Sequence, residues 1–232
     1  MSKLELEWKT PGPPGRGTLD GELVRLEAID PGRHAEPLFT ASHGAAGDPR
    51  IWDYLSYGPF AHQGEFTAWL ERCAASDDPL FYAIVDREAM QPRGMASYMR
   101  IVAEHGVIEI GHIWFAPVLQ RTRQATEAIF LMARHAFDDL GYRRLEWKCD
   151  SANAPSRRAA QRFGFTYEGV FRQHMVVKGR NRDTAWFSIT DGEWPLRRAA
   201  FEAWLAPSNF DGDGRQRESL AAVRAGIEGP KV

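Results

Sequence analysis

Apolar and polar positions alternate over residues 22–27 (ELVRLE) with the period of two expected of a half-buried strand. Asp30-Pro31 follows, a capping carboxylate and a first-turn proline that open a helix. Residues 64–75 read as a second short helix. Residues 80–86 and 94–102 read as paired strands joined by REAMQPR, and 107–115 as another strand. Over 124–140 the period changes to that of a helix: Ala125, Ala128, Ile129, Met132, Ala136 and Phe137 fall on one face, and Leu140-Gly141 ends it. A strand at 143–149 precedes a short helix at 156–163, just after Pro155. Residues 166–177 and 183–190 form a hairpin about the KGRN turn, and 195–206 is a last helix with Trp204 on its apolar side. Mostly consecutive strands with two crossover helices predict a mixed α/β sheet.

The 232 residues suit one domain with tails. Residues 1–17 end in PGPPGRG, which holds neither a helix nor a ladder and reads as an extended arm. Residues 18–195 form the domain. Residues 196–232 supply the last helix and a polar, Gly-rich tail expected to be flexible. A net charge of -2 gives no reason to expect nucleic acid or an acidic membrane as partner. Cys73 and Cys149 are the two cysteines, so no disulfide framework is implied and a reducing cytoplasm fits. MSKLELEWKT lacks the apolar core of a signal peptide, and no stretch reaches the roughly 20 apolar residues of a membrane span. The histidines show neither i, i+4 pairs nor cysteine partners at ligand spacing, so no metal site is expected.

Two helix starts are each preceded by a strand and a polar loop, at 107–128 and 143–163. A helix start is an anion site, because its first amides are unpaired and the macrodipole is positive there. Three segments, in order, are similar to the GCN5-related N-acetyltransferases of the ribosomal-protein (RimJ/RimL-like) type: IWDYLSYGPF at 51–60, IEIGHIWFAPVLQRTRQATEA at 108–128 and NAPSRRAAQRFGFTYEG at 153–169. The resemblance implies a mixed, mostly antiparallel seven-stranded central sheet with helices on both faces. It implies acetyl-CoA as cosubstrate, and a small-molecule or peptide amine as acceptor. A homodimer is a further expectation. The loop departs from the family pattern Q-G-x-G-x-A: it reads Gln120-Arg121-Thr122-Arg123-Gln124-Ala125, with arginines where glycines commonly sit. An arginine there either keeps φ negative or accepts strain, and it brings charge toward the pyrophosphate.

By this resemblance the amides of Gln120, Arg121, Thr122, Arg123, Gln124, Ala125 and Thr126 hold the pyrophosphate. The backbone of Trp114, Phe115 and Ala116 pairs with the pantetheine, provided that this strand splays from the next. Asn153 holds the pantetheine arm, Ser156 donates a proton to the departing thiolate, and Arg157 meets the nucleotide phosphates. Each has a plainer reading: a polar loop with solvated arginines, ordinary strand core, or helix capping by Asn and Ser. Glu109 is the candidate base, a strand carboxylate whose desolvation would raise its pKa; the plainer reading pairs it with an arginine such as Arg100. His112 is the second candidate, and joins Glu109 on one face only if a bulge lies at Gly111. Trp52, Tyr54 and Tyr57 are candidates for the acceptor wall, against core beneath the first two helices. The competing functions are a CoA-binding sensor without catalysis and a structural role in a homodimer.

Overall fold

The computed structural model describes residues 8–229. Its centre is one sheet, built from β1 (Leu19–Asp20), β2 (Val24–Ala28), β3 (Leu80–Asp86), β4 (Gln91–Val102), β5 (Val107–Phe115), β6 (Arg144–Asp150), β7 (Thr166–Val177) and β8 (Arg180–Thr190). The order is β1-β2-β3-β4-β5-β6-β8-β7, antiparallel throughout except for β5 with β6. The sheet thus has eight strands rather than seven. The extra one is the two-residue β1, too short to leave a period in the sequence.

Strand β3 is buried on both faces. Leu80, Tyr82 and Ile84 join one core, and Phe81, Ala83 and Val85 join the other. The first core is filled by helix α3 (Arg123–Arg134), which continues as a π turn over His135–Asp139, and by α5 (Trp194–Leu205). The second core is covered by α1 (Pro31–His43) and α2 (Gln63–Ala75). Asp30 caps α1 as its position beside Pro31 predicts, with Oδ1 accepting from Gly32 N at 3.0 Å. Buried Glu127 of α3 ties down the turn between β1 and β2: its carboxylate accepts from the amides of Glu22, Leu23 and Val24 at 2.9, 2.7 and 2.7 Å. A Cβ on Gly21 would stand 2.5 Å from Glu127 Oε2, so the turn passes there only as glycine.

The tail contains a further helix within its described part. Helix α6 (Leu220–Glu228) buries Leu220 and packs beside α5, and Arg224 Nη1 donates to Arg162 O at 3.1 Å. Ser219 caps it, Oγ accepting from Ala222 N at 3.1 Å. The arm at 8–17 has no helix or strand and is held by Tyr82, whose hydroxyl donates to Gly15 O at 2.7 Å, and by Arg16, which donates to Ala74 O at 2.7 Å.

The feature that positions the site lies between β5 and β6. They pair only at Val107, Ile108 and Glu109 with Arg144, Leu145 and Glu146. Beyond Glu109 the two strands part, while β5 keeps β4 as partner to its end at Phe115. One backbone edge of β5 over 110–115 is therefore left without a strand. Helix α3 starts beyond the end of β5, and α4 (Ala154–Arg162) beyond the end of β6.

Candidate active site

At the α3 start, Thr122 is the cap: Oγ1 accepts from Ala125 N at 3.1 Å and donates to Leu119 O at 2.7 Å. Among the described residues the amides of Arg121, Thr122, Arg123 and Gln124 have no hydrogen-bond partner. Four unpaired N–H groups at the positive end of a helix suit a polyanion. Arg121 stands where the family carries glycine and takes the glycine conformation, φ +62°. The loop shape is thus kept and the strain accepted, at about 1–2 kcal/mol for a residue with a Cβ. Gln120 is fixed by Nε2 donating to Phe115 O at 3.0 Å.

Arg123 does not send its charge toward this loop. Its Nη2 donates to Leu205 O at 2.7 Å and its guanidinium stacks 4.1 Å from the Phe210 ring, so the side chain binds the tail and only its amide remains for an anion. The sequence offered no sign of this, because Leu205 and Phe210 lie some eighty residues away in the chain.

At the α4 start, Asn153 is the cap, with Oδ1 accepting from Ser156 N at 3.1 Å. The capping reading holds, and the Nδ2 of Asn153 has no partner among the described residues, so it can still donate to a ligand amide. Ser156 Oγ accepts from Trp147 Nε1 at 3.0 Å, which orients the hydroxyl and leaves it its own proton. Arg157 donates to Ser151 O at 3.2 Å, and Arg158 is exposed. Cys149 adjoins Ser156; burial pushes its thiol up, against a hydrogen bond from Ser156 and the charge of Arg182.

Glu109 is buried, 4% exposed, on the face opposite Ile108 and Ile110. Arg100 Nε stands 3.3 Å from Oε2 and Lys148 Nζ 3.0 Å, out of line for a directed hydrogen bond, so the contacts are ionic. Arg100 reaches it through a bulge in β4: its φ is +47°, and Asp78 Oδ1 takes its amide at 2.9 Å. Lys148 is also 2.5 Å from Glu146 and lies 3.8 Å from the centroid of the Trp186 ring. Burial raises the Glu109 carboxyl, and Lys148 and then Arg100 oppose it. The pairing with Arg100 was foreseen; Lys148, in the next strand, was not.

His112 is the bulged residue of β5, φ +52°, where the register against β4 shifts between Met95 and Ser97. The extra residue puts Glu109, Gly111 and His112 on one face of the sheet. The imidazole stacks on Tyr57 at 5.5 Å and 21°, and sits 5.0 Å from Phe81. Its Nδ1 is 3.2 Å from Tyr57 Oη. Burial, then the charge of Arg182, pulls the ring down to about 4, so it is neutral at pH 7 and a weak base. Burial pushes the Tyr57 hydroxyl well above its usual value, so it remains a donor to the ring.

The 51–60 segment closes this side. Trp52 is fully buried between Phe60, Tyr57 and Trp114, with ring centroids at 5.6, 6.1 and 5.4 Å, so it is core and not part of the acceptor wall. An aromatic in a loop does not declare in sequence which way it turns. Tyr54 is 39% exposed and its hydroxyl donates to Ala152 O at 3.2 Å, across to the loop before α4. Trp114 buries its indole in the same core, leaving only its backbone to the splay. Lys178, at the tip of the β7–β8 hairpin, donates to Trp52 O at 2.9 Å and Gly58 O at 2.6 Å. Sequence gave it only as part of a turn.

The comparisons with known proteins agree with this geometry. The model of the acetyltransferase (GNAT) domain matches residues 24–166. A crystal structure of a GCN5-related N-acetyltransferase from Brucella melitensis is 48% identical, with a TM-score of 0.91, covering 94% of this chain and 98% of that one. The uncharacterized N-acetyltransferase p20 of Bacillus licheniformis is 25% identical over 63% of this chain and 84% of its own length. YdaF of Bacillus subtilis (strain 168), named for ribosomal N-acetyltransferase activity, is 29% identical over 44% of this chain and 55% of its own. With the strand splay, the open start of α3 and the matching domain in one place, the chain belongs to the GCN5-related N-acetyltransferase family and is an acyl-CoA-dependent acetyltransferase.

Proposed function

We propose that the protein moves an acetyl group from acetyl-CoA to a primary amine by direct attack within a ternary complex. The observation that carries this is the parting of β5 from β6 beyond Glu109, which leaves a backbone edge beside two helix starts. Acetyl-CoA supplies an acyl carbon already activated as a thioester. The β5 edge over 110–115 pairs with the pantetheine amides in the manner of an added strand. The amides of 121–124 take the pyrophosphate, and Asn153 Nδ2 steadies the arm. Glu109 accepts the amine proton, directly or through one water, and Ser156 gives its proton to the leaving sulfur. Tyr54 and Tyr57 stand on the acceptor side. Neither cysteine suits a covalent route: burial pushes Cys73 up to about 12 and Cys149 upward, so both stay thiols.

Much of the rate then comes from holding two reactants in line. No helix of the described residues is long and apolar enough to cross a membrane. A cytoplasmic setting is part of the same reading, in keeping with two buried free thiols. The test is a screen of primary amines with acetyl-CoA and detection of released thiol. Acetyl-CoA binding without amine-dependent thiol release from any acceptor would favour a CoA sensor and overturn catalysis.

A further inference from the structure

The face of the sheet that carries Glu109 holds a continuous run of ion pairs. Arg100 meets Glu109, Glu109 meets Lys148, Lys148 meets Glu146, Glu146 meets Arg144, and Arg144 meets Glu168. Three carboxylates are matched by three cations. Arg182 is a fourth cation on this face. It follows Trp186 and Thr184 along β8 at steps of two, opposite the core-facing Ala185 and Phe187. It lies two residues beyond the last β6–β8 pair, Asp150 with Thr184, where β6 has ended and the splay is open. Its Nε donates to Thr184 Oγ1 at 3.2 Å. Thr184 Oγ1 also bonds His174 Nδ1 at 2.9 Å, so the root of the guanidinium is held, and among the described residues its two Nη groups have no hydrogen-bond partner. Among the described residues Arg182 forms no ion pair: Glu109, Glu146 and Glu168 are held by other cations, and Asp150, opposite Thr184 on the same face, turns Oδ1 to the Ala152 amide at 2.9 Å. Its field reaches the mouth of the splay. It adds to burial in holding His112 down, joins burial and Arg100 in lowering His174, and partly offsets burial at Cys149.

A half-buried guanidinium with a fixed root and an open fork is built for a planar anion, which it grips with two parallel hydrogen bonds. We propose that Arg182 binds a carboxylate of the acceptor, so that the preferred amine carries a carboxylate close to its amino group. The inference rests on the acetyltransfer reading and narrows its substrate class. An acceptor bringing only positive charge meets a cation that has no ion-pair partner, beside a neutral His112. One with a carboxylate offsets that cation and presents its amine toward Glu109.

The test compares L-amino acids with their carboxamides as acceptors of acetyl-CoA, with spermidine as a purely cationic amine. The carboxylate forms are expected to be used about 10- to 100-fold better in kcat/KM, the worth of one charge-assisted contact. Arg182→Gln should remove that preference by raising the KM of the acceptor, with the KM of acetyl-CoA unchanged, and Arg182→Lys should restore part of it. Carboxamides or spermidine used as well as the carboxylates, or a preference that survives Arg182→Gln, would overturn the proposal. Titration of N-acetyl amino acids against their N-acetyl amides into the CoA-bound enzyme makes the same comparison without turnover, and equal affinities would also overturn it. Absence of thiol release from every amine, with the binding preference intact, would instead count against catalysis.

Discussion

Lys148 Nζ sits 3.0 Å from Glu109 Oε2 and 2.5 Å from Glu146 Oε2, against the face of Trp186. One buried cation thus holds two buried carboxylates in adjacent parallel strands, at the last residues before those strands part. The pair fixes the fork of the splay and the charge of the proposed base with the same contact.

Lys148→Met should uncover both roles. Breaking a buried pair by removing one partner costs about 3–5 kcal/mol, because a charge is left unpaired. Burial already raises the Glu109 carboxyl, and loss of Lys148 raises it further. A carboxyl raised in the folded state favours the protonated fold. The variant should therefore lie near wild type at acid pH, below the unfolded carboxyl value, and lose stability as pH climbs through the folded value. Urea unfolding at about pH 4 and about pH 8, on either side of the ordinary carboxyl value, reads this. In activity, the acid limb of kcat/KM should move to higher pH, and Glu109→Gln should lower kcat by about 10²–10⁴ with CoA affinity unchanged. Near-full activity of Glu109→Gln across the pH range would remove Glu109 from the chemistry.

His112 gives a second pH signature with the opposite sign. Burial holds the folded ring down to about 4, from an ordinary value of 6.5. The unfolded chain then binds the proton first. The stability is complete above pH 6.5 and declines as pH falls toward 4, by roughly 3 kcal/mol if the whole shift is expressed. His112→Asn tolerates the positive φ and removes the titration. Its stability should fall less steeply than wild type between pH 6.5 and 4, keeping only the slope that the lowered His34, His43 and His174 supply, and an unchanged slope would place the titrating group elsewhere.

The sequence showed what is local. Strands β3, β5 and β7 begin and end where the alternation does, and the Asp30-Pro31 cap starts α1. Contacts between distant segments stayed hidden. Arg123 looked like a phosphate ligand because its neighbours in sequence are a phosphate loop, yet its side chain answers to Leu205 and Phe210. Trp52 looked like a cleft aromatic because it lies in an acceptor-side loop, yet it fills the space between Phe60 and Trp114. Lys148 and Lys178 carried no pattern at all, since each finds its role on another strand or loop. Helix α6 was masked by the glycine-rich run before it, although Ser219 and the apolar spacing of LAAVRAGIE are a start signal and a face.

Arg121 tests whether the loop needs glycine for shape or for space. Its φ of +62° is one that glycine adopts freely. Arg121→Gly should relieve about 1–2 kcal/mol of strain, less the extra freedom glycine gives the unfolded chain, about 0.5–1 kcal/mol. The net stability should be equal or slightly higher, and CoA should bind at least as well. Arg121→Val puts a β-branched side chain at the same φ and should weaken CoA binding by moving the amides that receive the pyrophosphate. Calorimetric titration of CoA into both variants checks this, and equal binding by Gly and Val would show that the loop conformation is not what holds the ligand.

Arg123 separates a phosphate ligand from a structural strut. If its work is to join α3 to the tail, Arg123→Ala loses the bond to Leu205 O and the stacking on Phe210. A charge-assisted hydrogen bond is worth about 1.5–3 kcal/mol, and the cation–π contact adds about 0.5–1 kcal/mol. Phe210 also packs edge-on against Trp204, at 5.2 Å, so releasing it loosens the segment that leads to α6. The variant should therefore unfold earlier, and its 207–219 segment should be cut faster by protease. CoA and pantetheine, which lacks every phosphate, should lose affinity by the same small factor, because the Arg123 amide stays in place whatever the side chain. A loss confined to the fully phosphorylated ligand, with protease resistance of the tail intact, would return the guanidinium to the phosphates. Arg123→Lys sharpens the distinction: a lysine supplies charge to a phosphate but lacks the flat guanidinium that stacks on Phe210. Protease sensitivity in Arg123→Lys close to that of Arg123→Ala is the outcome that fits the strut.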